Sequence, residues 1–404
     1  MISEKIREDF PLLKKHPGLI YFDNAATSLK PQQVIDEVSR YYSEVSANSG
    51  RGSHRLAQRA GYEVEKSREE VAKFIKAKPG ELVFTKNATE SINVVAESLE
   101  RAGKFKDGDE IVISILEHHA NLIPWQQVCK RTGAKLKVVN LNDDFTLNMN
   151  DLEEKITRKT KMIAMAHASN TVATILPVEK ISKIAHDNGA LCLIDVAQST
   201  PGIEVNSKKI GADFMAFSAH KMLGPTGIGG LYIKEEHIDK MEPYNYGGGI
   251  ISKVTIEKSD WVKGPEKFEA GTKPIAEAMG FAAAAKYLSK IGIGKVREHE
   301  MQLVKYALKK MGEIKDLKTY CPNNAEKQTG IVLFGIDGID AVDLGVVVDE
   351  VSKVAIRTGL HCAEPMVSSI NPKGLARASF YLYNTLEEID TFVDALTATS
   401  NSFK

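Results

Sequence analysis

The chain has little of what marks several large protein classes. Its 404 residues include four cysteines, two tryptophans and no surplus of either charge, with 53 Lys plus Arg against 53 Asp plus Glu. A zero balance argues against nonspecific nucleic-acid binding and against attachment to an anionic membrane, since both draw on a basic excess. No apolar run approaches the roughly 18–20 residues that a membrane span needs. The opening MISEKIREDFPLLKKHPG is charged throughout and lacks the apolar stretch and small-residue cleavage site of a secretory signal. Cys129, Cys192, Cys321 and Cys362 form no CxxC pair, so neither a disulfide framework nor a zinc knuckle is expected. Together these absences predict a cytoplasmic protein in a reducing compartment.

What is present is an ordinary globular composition, 43% hydrophobic and 26% charged. Short β-branched apolar runs alternate with helical stretches. Strands are predicted at 80–85, 109–114, 134–140, 161–169, 190–196, 213–219 and 229–234. Several are apolar at consecutive positions, the pattern of strands covered on both faces. Helices are predicted between them, for example over 88–100 and over 177–189, where Asn-Gly supplies the stop. The alternation predicts an α/β fold with a mostly parallel, seven-stranded sheet. Beyond about 285 a long charged helix (295–312), GIVLFGI, a helix from about 339, VAIRTG, RASFYLY and a final helix read as a smaller α+β domain. The expected division is therefore an N-terminal segment 1–20 packing with the small domain, a large domain 21–285 and a small domain 286–404.

Ligands of open α/β sheets lie beyond the carboxyl ends of the strands, so the residues there are the candidates. Asn87, Ala88 and Thr89 open a helix and offer either an anion seat or a plain N-cap. Glu117, His118 and His119 form either a surface loop or a site where one ring stacks on a flat ligand. Asp195 ends an apolar strand, with Gln198 shortly after, and a carboxylate there needs a partner. Ser218, His220 and Lys221 follow another strand, and the absence of GxxxxGK[ST] excludes a Walker loop. Each feature alone has a bland explanation. Jointly they suit one flat, anionic, carbonyl-bearing cofactor. Pyridoxal phosphate needs a lysine for its Schiff base, an acid to keep the ring nitrogen protonated and donors for the phosphate.

Long blocks carry a resemblance over nearly the whole chain: YFDNAATSLKP, RGSHRLA, FTKNATESINVV, EHHANLIPWQ, DVAQSTPG, FSAHKMLGPTGIGGLY, FEAGTKP, RTGLHCAEP and RASFYLYNT. The sequence resembles the aminotransferase class V family of pyridoxal-phosphate enzymes, of transferase fold type I, and within it the cysteine desulfurases of the Suf type. The resemblance implies that Lys221 is the Schiff-base lysine, Asp195 the partner of the ring nitrogen and His118 the stacked ring. It implies that Gln198 meets the phenolic oxygen and that Ala88, Thr89, Ser218 and His220 bind the phosphate. Thr272 would reach the phosphate of a neighbouring subunit, so a homodimer with shared active sites is expected. Asn170 and Arg377 would hold the substrate carboxylate, which suits a guanidinium, with Arg357 in the same set. His54 and Arg55 would line the entrance.

Cys362 decides the implied activity, since it matches the nucleophilic cysteine of the desulfurases. RTGLHCAEP is rich in turn residues and carries Arg357 and His361, company that favours a loop and a thiolate. The implied reaction takes L-cysteine to L-alanine, with Lys221 removing the Cα proton, Cys362 taking the sulfur as a persulfide and His118 protonating Cβ. The persulfide would pass to an acceptor, a SufE- or SufU-like protein or an iron–sulfur scaffold, for cluster assembly. A selenocysteine lyase or a cysteine sulfinate desulfinase on the same scaffold is the alternative. Ala173 stands where the family usually has glycine, Leu360 where histidine is frequent, and Lys273 in place of a usual proline. The compact HCAEP loop fits the Suf type rather than the longer loop of the Isc/Nif type.

Overall fold

All seven apolar runs become strands of one sheet in the computed structural model, which describes residues 2, 4–50 and 52–402. Residues 1 and 3 of the N-terminal segment and Arg51 of RGSHRLA lie outside the described residues. The strands are β1 (Leu82–Thr85), β2 (Glu110–Ser114), β3 (Lys135–Val139), β4 (Thr160–Ala166), β5 (Leu191–Asp195), β6 (Phe214–Ser218) and β7 (Gly229–Ile233). Their order across the sheet is β1-β7-β6-β5-β4-β2-β3. The pairs β2–β3, β2–β4, β4–β5 and β5–β6 are parallel. Only β7 runs against its neighbours, β1 and β6. Residues 219–228 between β6 and β7 are too few for a parallel crossover, so the chain returns antiparallel.

Both faces of the sheet are buried, as the consecutive apolar runs require, except at the edge strand β3, where Val139 alone is buried. Alternate side chains enter two cores: Val112, Ile163 and Met165 on one face, Ile111, Ile113 and Met162 on the other. Glycine at 229 is a packing requirement. A Cβ there would lie 2.6 Å from the Asn87 Cα, so only glycine lets the start of the helix Ala88–Arg101 settle against the sheet.

The helix Ile275–Ile291 carries the chain across position 285 towards a second sheet. Its strands are β8 (Leu317–Thr319), β9 (Ile331–Ile336), β10 (Arg357–Gly359) and β11 (Leu375–Ser379), antiparallel in the order β8-β9-β11-β10. Leu303, Phe334 and Phe392 pack between this sheet and its helices. The N-terminal region joins it: Ile20–Tyr21 pairs in parallel with Val354–Ala355, and Arg7 meets Glu388 at 2.7 Å. Among the described residues no helix is long and apolar enough to cross a membrane.

Candidate active site

At the carboxyl edge of the seven-stranded sheet, closed on one side by β10 and β11, lies a cavity of about 350 Å³. Ala88, Thr89, His118, Asn170, Asp195, Gln198, Ser218, His220, Lys221, Arg357, Cys362 and Arg377 all line it. Parallel strands make this possible, because they deliver their following loops to the same edge. Three expected members are elsewhere. Thr272 is exposed and lines a different cavity, of about 820 Å³, with Gly248, Gly249 and Tyr62. His54 is exposed and caps the helix Arg55–Phe74, its Nδ1 accepting from the Ala57 N–H at 3.3 Å. Arg55, the first residue of that helix, is exposed as well.

The floor combines an acid, a base and a ring. Asp195 is the last residue of β5, and its Oδ1 accepts from the Ala197 N–H at 2.9 Å. Burial pushes its carboxyl up, while that hydrogen bond and Lys221 pull the other way. Lys221 ends the short turn after β6 and faces the cavity. Burial brings its pKa down to about 8, against the attraction of Asp195. His118 accepts from the Ala120 N–H through Nδ1 at 3.0 Å, so its proton sits on Nε2. Burial, helped by Lys221, takes this ring down to about 3 and keeps it neutral. His220 is held down to about 4, mainly by burial.

The anion seat and the N-cap, posed as alternatives, coexist at the helix start. Asn87 Oδ1 accepts from the Glu90 N–H at 2.9 Å, a regular cap. Ser218 Oγ receives the Ala88 N–H at 2.8 Å, which joins the helix start to the end of β6. Gln198 spans the cavity wall and donates to Ala25 O at 2.9 Å.

The opposite wall is cationic. Arg377 on β11 is 2% exposed; its Nη1 donates to Asn170 O at 2.7 Å, and its Nη2 lies 3.5 Å from Asp23. Its Nε has no protein partner although it is buried. Burial lowers this guanidinium to about 10, with Asp23 opposing. Arg357 grips the same Asp23 at 2.9 Å. A buried guanidinium with an unused N–H is a ready seat for a carboxylate.

Cys362 is exposed in the loop between β10 and the helix Glu364–Ile370. The expected loop is there, but one member of its company behaves otherwise. His361 turns inward, its Nε2 2.9 Å from Leu375 O, and burial drives it down to about 3. The ring is neutral and lends Cys362 no positive charge, and Arg357 remains the cation nearby. The other three thiols are poor nucleophiles by position. Burial pushes Cys129 up to about 11 and Cys192 to about 12, and also raises Cys321.

Sequence reasoning passed over two residues that shape the site, Asp23 and Lys30, and gave a third, Glu117, no role beyond its place in the histidine loop. Asp23 holds both arginines, and its only signal was its place in YFDNAAT. Glu117 is buried under the histidine loop, taking hydrogen bonds from Ser114, Asn121 (2.7 Å) and the Ala166 N–H (3.1 Å). Burial brings its pKa up to about 7. Lys30 donates to His220 O at 2.9 Å and is lowered to about 8 by burial. A buried Glu or Lys has no local sequence signature, because its burial comes from distant residues.

A lysine, a carboxylate and a ring gathered at the switch edge of this sheet, with a smaller α+β unit over them, define the class of fold type I pyridoxal-phosphate proteins. The aminotransferase class-V family model matches residues 20–392, and the chain belongs to that family. It is 43% identical to a cysteine desulfurase of Haloferax volcanii, covering 99% of this chain and 97% of the relative. It is 44% identical to a probable cysteine desulfurase of Pyrococcus abyssi, covering 98% and 97%. Among solved structures, the apo cysteine desulfurase of Thermococcus onnurineus superposes with a TM-score of 0.95 at 42% identity, covering 100% and 99% of the two chains. The Escherichia coli cysteine desulfurase CsdA, in an S-sulfonic acid form, gives 0.92 at 31%, covering 100% and 99%.

Proposed function

We propose that this protein is a pyridoxal 5′-phosphate-dependent cysteine desulfurase that moves sulfur from L-cysteine to Cys362 and releases L-alanine. The observation that carries this is a single cavity lined by Lys221, Asp195 and His118 on one side and by Arg377 and the exposed Cys362 on the other. The donor set fits the cofactor. Lys221 would hold its aldehyde carbon, Asp195 its ring nitrogen, Gln198 its phenolic oxygen and a neutral His118 its ring face. Ala88, Thr89, Ser218 and His220 would hold the phosphate, with Thr272 reaching across from a second subunit. The carboxyl of Asp195, destabilised as an anion by burial, gains a reason to ionise once a cation-forming nitrogen sits against it.

The bound cofactor supplies an electron sink that makes the substrate Cα–H bond breakable. Arg377, which lines the cavity, takes the substrate carboxylate, and Asn170, whose carbonyl holds Arg377, keeps that guanidinium in place. Lys221, with a pKa of about 8, is a base and an acid near neutral pH, so it removes the Cα proton and can return one. The Cys362 thiolate attacks the substrate sulfur, an S–S bond forms and the Cβ–S bond breaks. The electron pair of that bond stays with carbon, which takes protons at Cβ and Cα and leaves as L-alanine. Atoms balance without an external oxidant: one cysteine and one thiol give one alanine and one persulfide. His118, expected as the Cβ proton donor, is held neutral with its proton on Nε2, and Lys221 is the better matched acid.

The persulfide is delivered to an acceptor protein that serves iron–sulfur cluster assembly, and the working unit is a homodimer. The position of Thr272, outside its own subunit's cavity, supports the shared site. Four free cysteines support a reducing, cytoplasmic setting. Residues 21–285 are assigned to the cofactor-binding domain and 286–404 to the domain that carries the nucleophile, and the described part of 1–20 packs on the latter.

The test is anaerobic incubation of cofactor-loaded protein with L-cysteine and a thiol reductant, with alanine and sulfide measured together. Equal, catalytic yields are expected. Lys221→Ala should abolish both, and Cys362→Ala should keep the cofactor and lose sulfur transfer. Turnover of selenocysteine or cysteine sulfinate, with L-cysteine inert, would overturn the substrate assignment.

A further inference from the structure

His119 does not line the cavity, yet it brackets the nucleophile. Its backbone N–H donates to Cys362 O at 2.7 Å, and its Nε2 accepts from the Glu364 N–H at 3.2 Å. Glu364 is the first residue of the helix Glu364–Ile370, whose own N-cap, Ala363, makes no side-chain capping bond. The helix therefore receives a cap from a residue far away in the chain, and that residue is fastened to the carbonyl of Cys362 as well.

The loop between these attachments needs holding. His361 and Cys362 are consecutive non-glycine residues with φ of 53° and 54°, a left-handed conformation that side chains disfavour. Such strain persists only where surrounding contacts over-determine it. The contacts are few and specific. Within the turn the Ala363 N–H donates to Leu360 O at 3.0 Å; from outside it Asn170 Nδ2 donates to His361 O at 2.8 Å, His361 Nε2 pairs with Leu375 O at 2.9 Å, and His119 makes two more. His119 also opens the turn His119–Asn121 that His118 caps, so the cofactor-facing ring and the nucleophile loop share one rigid corner.

We propose that His119 is a positioning residue for the desulfuration step: as a neutral acceptor it caps the helix after Cys362 and holds the strained thiol loop in register with His118. The proposal rests on the cysteine desulfurase reading. It predicts that loss of the acceptor impairs sulfur abstraction while the proton chemistry at Lys221 continues.

Three measurements on the holoenzyme test this. They are single-turnover persulfide formation on Cys362 from L-cysteine, alkylation of Cys362 by iodoacetamide followed on its peptide, and Cα proton exchange of L-alanine in D2O. The last needs Lys221 and no thiol. His119→Phe keeps a ring and removes the acceptor, and one lost hydrogen bond corresponds to roughly a five- to tenfold effect. Persulfide formation should slow by about that factor, alkylation should quicken as the loop loosens, and alanine exchange should stay within about twofold. His119→Gln, which restores an uncharged acceptor, should return the first two towards the wild-type rates. Wild-type persulfide and alkylation rates in His119→Phe would overturn the proposal. So would a parallel loss of alanine exchange, or a failure of His119→Gln to rescue. Wild-type protein that still desulfurates with Cys362 fully alkylated would instead overturn the underlying reading.

Discussion

Replacing Arg68 by methionine should destabilise the protein through one buried charge. Arg68, on the helix Arg55–Phe74, is 1% exposed in its side chain and Glu269 is 4% exposed. They meet in a bidentate pair at 2.6 and 2.9 Å. Arg68 also donates to Leu82 O at 2.7 Å, while Glu269 accepts from the Phe84 N–H at 2.8 Å and from Lys273 at 2.9 Å. The pair thus ties a helix, β1 and the Thr272 loop together. Removing one partner of a buried pair typically costs about 3–5 kcal/mol. Lys273 stays beside Glu269 and sets the expectation at the lower end. At about 2.1 cal/mol/K of unfolding entropy per residue, a loss of about 3 kcal/mol in a chain of this length lowers the melting temperature by about 3–4 °C. The pH dependence supplies a second check. Burial alone would raise the Glu269 carboxyl, but Arg68, through charge and hydrogen bonds, outweighs it and holds the group low. A depressed carboxylate contributes its full stability above its unfolded value of about 4.3 and loses it as pH falls through the folded value. The gap between wild type and Arg68→Met should therefore be widest near neutrality and narrow below about pH 4.5. Thermal melts at one scan rate, at neutral and acid pH, measure it. A drop under about 1 °C at neutral pH, or a gap that widens on acidification, would refute the reasoning.

Two further outcomes follow from single residues. Ala173 has φ of 66° and is fully buried against Ala25 and Ile331. Ala173→Gly relieves about 1–2 kcal/mol of left-handed strain and forfeits about the same in one buried methyl and extra unfolded-chain entropy. It should melt within about 1–2 °C of wild type, whereas Ala60→Gly, in a buried helical site, should cost about 2 kcal/mol. Equal losses in the two would show that the strain is absent. Arg377→Lys should raise the KM for L-cysteine by about tenfold or more, since a charge-assisted hydrogen bond to the carboxylate is lost. The cofactor's absorbance should be retained, and an unchanged KM would remove Arg377 from substrate binding.

Much of the architecture was legible from local pattern. Apolar runs covered on both faces marked several of the seven strands because a doubly buried strand needs no polar alternation. Asp195 and Lys221 stood out because each polar residue ends such a run, and parallel strands send those ends to one edge. The direction of β7 was not marked, since a strand's periodicity is the same either way, and only the short connection after β6 decides it. That His361 turns away from Cys362 was not legible, because proximity in sequence says nothing about which way a ring turns.

The sequence by itself determined the strand and helix pattern, the chemical inventory at the strand ends and, through its long blocks, the family. These depend on residue type and short-range order. Tertiary structure alone decided that Asp23 clasps Arg357 and Arg377, that Glu117 and Lys221 are shifted towards neutrality by burial, and that His119 clamps the Cys362 loop. Each arises between groups that only folding brings within a few ångströms, where water is excluded and charges and hydrogen bonds gain their strength.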